Sequence, residues 1–157
     1  GTAGTTQRAE ITRFRTMPES AHENFARALY ELLYGEGPLA RRFDEYVLAM
    51  RIDGGASWPA ATWLAAAALP NEHVFVKPTY FKKQALVLEQ ELAYDSSPNG
   101  ATYEQFMRAA ARCQERLIAA GLKPRDLIDV SAFISATLTP TAIRSVSTDK
   151  PKRKKDA

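Results

Sequence analysis

Apolar residues return at helical spacing through almost the whole chain, and nearly every run is closed by glycine, proline or asparagine. Phe25, Leu29, Leu32 and Leu33 fall at i, i+4, i+7 and i+8, which predicts a helix from about Glu19 to Tyr34 with Gly35 placed to end it. Pro38 suits the first turn of a second helix, in which Leu39, Phe43, Tyr46, Val47 and Met50 repeat the pattern until Asp53, Gly54 and Gly55 break it. Trp58 and Pro59 open a third, alanine-dominated helix running to Leu69, slim enough for a neighbour to pack very close. Pro70 and Asn71 stop it. His73, Val74, Phe75 and Val76 are β-prone but too few for a sheet, so an extended connector is expected.

Thr79 can cap a fourth helix reaching about Leu92, after which residues 95–100 form a turn-rich loop. Thr102 and Gln105 have capping-box spacing for a fifth helix, with Phe106, Ala109, Ala110, Cys113, Leu117 and Ala120 as its stripe and Gly121 as its terminator. A sixth helix is expected over roughly 125–138. Phe43, Tyr46, Trp58, Trp63 and Phe106 sit at core spacing. Residues 1–16 read as a flexible or partly ordered arm, 17–140 as the helical domain and 141–157 as a disordered basic tail. The expected fold is therefore mainly α, an irregular bundle of about six helices with at most one short strand.

The chain has 157 residues, 45% of them apolar, enough for one core, and 25% charged. Its single cysteine, Cys113, excludes an intrachain disulfide and reads as a buried, inert thiol. No apolar run is long enough to span a membrane, and a charged start followed by an apolar stretch is missing, so a cytoplasmic location is expected. The sequence begins without methionine, as a processed product or a piece of a longer protein would. The net charge of +3 resides in residues 148–157, which hold five basic and two acidic side chains, so residues 1–147 are neutral. A neutral body does not by itself argue for nucleic acid.

Three stretches could carry chemistry. Lys77, Lys82 and Lys83, interleaved with Tyr80 and Phe81, stand near the start of the fourth helix, where the helix dipole disfavours cations but an anion such as phosphate is welcome. Their plainer reading is a solvated face, with Lys77 pairing to a carboxylate such as Asp126 or Asp129. Those two acids, three apart, could do acid–base or metal work, although caps at a helix start are what stability alone selects. The tail, with Lys152, Arg153, Lys154 and Lys155, could grip DNA or RNA, solubilise the chain, or act as an address. Two histidines, His22 and His73, and one cysteine leave no zinc set, and no phosphate loop or nucleophile elbow is present. No catalytic residue, metal or cofactor is expected.

The succession Ser57-Trp58-Pro59-Ala60-Ala61-Thr62, His73-Val74-Phe75-Val76-Lys77-Pro78, Pro98-Asn99 with Thr102-Tyr103, and Pro124-Arg125-Asp126-Leu127-Ile128-Asp129-Val130 with Phe133-Ile134 resembles a family of uncharacterised bacterial proteins. The resemblance covers roughly residues 19–138. It implies a bacterial, cytosolic origin and a chain continuing N-terminally, and it brings no activity. Asp95 and Gly100 stand where the family pattern has a basic and an aromatic residue, and Ser131 and Ser135 replace a larger amide and an aromatic.

Two functions follow as expectations. One is a nucleic-acid-associated module that binds phosphate through Lys77, Lys82, Lys83 and Tyr80, helped by the tail. The alternative is a protein-interaction or structural domain of a larger assembly, meeting its partner through the exposed side of the Trp58–Leu69 helix or the 95–100 loop, with an uncovered apolar patch as its mark. A small enzyme with Lys77 and Asp126 or Asp129 facing one pocket is a weaker third.

Overall fold

The computed structural model describes residues 17–50 and 56–142. Six helices of ten residues or more run through them: α1 (Glu19–Tyr34), α2 (Leu39–Met50), α3 (Trp58–Ala68), α4 (Pro78–Val87), α5 (Gly100–Ala119) and α6 (Leu127–Thr137). No strand occurs among the described residues. The architecture is the irregular helical bundle that the periodicity predicts. The expected tail sites Lys152, Arg153, Lys154 and Lys155, and the arm before residue 17, lie outside the described residues.

α1 and α2 form an antiparallel hairpin whose turn is held by Arg42. Its guanidinium donates to the carbonyls of Leu32 (2.6 Å), Glu31 (3.2 Å) and Gly37 (3.3 Å), so one cation ties the end of α1 to the turn that follows it. α2 packs on α5, α5 on α6, and α4 lies against both α5 and α6. Aromatic rings tie these layers together. Phe43 stacks on Tyr103 at 4.2 Å and on Trp58 at 6.0 Å, and Phe106 meets Trp58 and Phe81 edge-on at 4.9 and 5.5 Å. Phe43, Tyr46, Trp58 and Phe106 are core residues as expected, whereas Trp63 is half-buried.

The unusual element is the connector between α3 and α4. His73, Val74 and Val76 are buried and Phe75 is half-buried, so an extended segment runs through the bundle, where buried peptide groups need protein partners. Side chains from three helices take the place of a sheet. Val76 N–H donates to Thr62 Oγ1 (3.0 Å), which itself donates to Trp58 O (2.8 Å). Tyr103 Oη accepts from Val74 N–H (3.3 Å) and shares a hydrogen bond with His73 Nδ1 (3.1 Å). Ser131 Oγ donates to Phe75 O, and Leu127 N–H to Pro70 O (2.9 Å). Thr62, His73, Tyr103 and Ser131 are the buried polar residues that hold this strap in register.

Helix ends correct several expectations. α4 begins at Pro78 with Lys77 as its cap residue, so Thr79 is already inside the helix. It ends at Val87 rather than near Leu92, because Glu89 takes a left-handed conformation (φ 52°) while Glu89 N–H and Gln90 N–H close on Leu86 O and Ala85 O. α5 is capped by Asn99, whose side chain accepts from Thr102 N–H (2.9 Å). Gln105 instead clasps Ala93, accepting from its N–H at 2.7 Å, so the Thr102–Gln105 capping box does not form. Gly121 (φ 82°) ends α5 as expected. A close backbone approach is found at the start of α5. A Cβ on Gly100 would stand 2.0 Å from Ala40 O, so the start of α5 presses directly on α2.

Burial makes the strap sensitive to acid. It lowers the His73 pKa from 6.5 to about 4, with Arg42 adding repulsion, so the folded protein holds this imidazole neutral. A depressed folded value means that the contribution is complete above pH 6.5 and is lost as pH falls towards 4. Urea titrations are expected to show about 2 kcal/mol less stability at pH 5 than at pH 7.5 from this group. His73→Gln should flatten that slope.

Candidate interaction surface on α4

The helix-start lysines do not converge. Lys77 and Lys83 are half-buried and Lys82 is exposed. Each ammonium lies over a different ring: Lys77 over Phe75 at 5.6 Å, Lys82 over Tyr94 at 4.3 Å and Lys83 over Tyr80 at 6.0 Å. Lys83 Nζ also reaches Leu138 O at 3.4 Å, on the α6 side, while Lys82 leans towards the chain leading into α5. None of the three has a carboxylate within 4 Å among the described residues. The helix start itself offers little to an anion. Pro78 has no N–H, and those of Tyr80 and Phe81 both go to Lys77 O, which leaves Thr79 N–H unpaired in that turn.

Lys77 therefore makes no ion pair with Asp126 or Asp129. Asp126 caps α6 by accepting from Asp129 N–H (2.9 Å). Asp129 is held by Arg125, which donates from Nε and Nη2 at 2.9 Å each, and this guanidinium keeps the carboxyl well down, at about pKa 2. Both acids have structural partners. Cys113 is buried on the α5 stripe, and burial pushes its thiol up to about 11, away from nucleophilic character. No group of three or more His, Cys, Asp or Glu able to hold a metal occurs among the described residues, and no helix there is long and apolar enough to cross a membrane.

The other end of α4 presents a different surface. Ala85 and Leu88 enter the core, but Leu86 and Val87 between them stand 78% and 64% exposed. Beside them lies a depression of about 440 Å³, lined by Lys82, Ala85, Leu86, Glu89, Gln90, Glu91 and Leu92. Gln90 Oε1 is buried there without a hydrogen-bond partner. Lys82 bounds the depression towards the helix start, and Glu89 and Glu91 bound it beyond the helix end. The one legible signal for this surface is the run 85–88, four consecutive apolar residues where a one-sided helix can bury about two. Comparison of the chain with protein-family models, with curated proteins and with solved structures found no match.

Proposed function

We propose that this chain is a non-catalytic protein-interaction module of the cytoplasm that presents the C-terminal half of α4 to a protein partner. The observation that carries the reading is the pair Leu86–Val87, two large apolar side chains left in water on one helical turn beside an apolar depression. Isolated exposed apolar residues are ordinary, but an adjacent pair with a matching hollow has the form of an anchor and its pocket.

Side chains kept for a partner add little to the isolated fold. Leu86→Ser and Val87→Ser are therefore expected to change unfolding free energy by no more than about 0.5 kcal/mol in urea titrations. A loss of about 2 kcal/mol or more at either position would make them core residues and sink the reading.

A second reading, attraction of DNA or RNA, is favoured by the three lysines without carboxylate partners and by the basic tail. Binding of this kind falls steeply with salt. Fluorescence anisotropy on the full chain, on a chain ending at Ala142, and on Lys77→Ala/Lys82→Ala/Lys83→Ala separates the sources. Binding that survives truncation and is lost in the triple variant assigns it to α4, and binding lost with the tail assigns it there.

A further inference from the structure

Resting on the protein-interaction reading, the geometry points to a second copy of this chain as the partner, with two α4 helices packed antiparallel about a twofold axis near Leu86. Three features of the surface are complementary to themselves. First, the protruding Leu86 and Val87 stand next to the depression floored by Ala85 and Leu92, so each copy offers both a knob and a hollow. A twofold contact requires both on one patch.

Second, the charges are segregated along the helix. On this surface Lys82 lies towards the helix start, and Glu89 and Glu91 lie past its end. α4 is about 15 Å long at 1.5 Å per residue, so antiparallel pairing centred on Leu86 sets Lys82 towards the second copy's Glu89 and Glu91. Parallel pairing would set like against like.

Third, both sets of charges oppose α4's own dipole, which favours acids at its start and bases at its end. Against an antiparallel neighbour each set meets the favourable end. Glu89 occupies a left-handed position (φ 52°) that glycine fills best, and the equivalent position after α5 is Gly121 (φ 82°).

One face of a ten-residue helix is a small contact beside the roughly 800 Å² per partner of a standard interface, so the association is weak. Sedimentation equilibrium of the full chain from 5 to 500 µM is expected to show the mass rising from one chain to two. Leu86→Glu should abolish the rise while leaving the thermal melt unchanged.

Lys82→Glu and Glu89→Lys should each weaken association about tenfold. An equimolar mixture of the two should recover it, because both 82–89 contacts in the mixed pair are again between opposite charges. A chain that stays monomeric to 500 µM, a dimer indifferent to Leu86→Glu, or a mixture no tighter than its components would overturn the proposal. Those outcomes leave the broader reading standing. That reading falls instead if Leu86→Ser or Val87→Ser destabilises the fold.

Discussion

Tyr103→Phe is expected to cost about 4 kcal/mol, although it removes one atom and keeps the ring. The hydroxyl is shared by Val74 N–H and His73 Nδ1, both inside the bundle, and neither has another partner in reach. Each orphaned buried group costs about 1–3 kcal/mol, more than the net worth of the bond that satisfied it. The stack of Phe43 on this ring at 4.2 Å is untouched, so the loss isolates the polar term. Urea unfolding followed by tryptophan fluorescence measures it, since Trp58 is buried in the same aromatic cluster. A cost below about 1 kcal/mol would mean that the strap is not held as described.

Gly100→Ala is expected to be comparably severe, about 4 kcal/mol. The added methyl would stand 2.0 Å from Ala40 O and 2.4 Å from Ala40 Cα, both backbone atoms that cannot rotate aside. Relief requires α5 to lift off α2, which also pulls Gly100 N–H from Asp44 Oδ1 (2.7 Å) and loosens the Phe43–Tyr103 stack. Differential scanning calorimetry should show a lower Tm with partial loss of cooperativity. An exposed counterpart such as Ala101→Gly should cost about 1 kcal/mol, the ordinary helix propensity difference.

Local pattern made the helices legible, and long-range contacts set what it missed. The bounds of α1 follow from Phe25, Leu29 and Leu32 with Gly35 behind them, and Asp126 as a cap follows from its place before Leu127. The end of α4 could not be read, because Glu89 carries no glycine signal while taking a glycine conformation. Nor could the cap of α5. Thr102 and Gln105 have the right spacing, but Asn99 comes first and Gln105 is drawn to Ala93, twelve residues back.

The four sequence motifs around Trp58, His73–Pro78, Asn99–Tyr103 and Asp126 acquire a physical meaning. Ser57 caps α3, and Trp58 Nε1 donates to Asp95 O (3.0 Å). Thr62 and Tyr103 satisfy the strap formed by His73–Val76, and Asn99 and Asp126 cap the helices that flank it. They are the parts that let an extended segment cross a helical interior. A chain that must build this strap needs those residues whatever it binds, which is why the motifs did not point to the Leu86–Val87 surface.

The most direct test of an α4 that faces protein rather than phosphate is photo-crosslinking in cells expressing the chain. A photoreactive residue replaces Leu86 in one version and the exposed Ala132 of α6 in another. The expected result is a discrete protein adduct from position 86, lost when Val87→Glu is added, and none from position 132. Adducts from position 86 to nucleic acid alone, or equal yields from both positions, would contradict it.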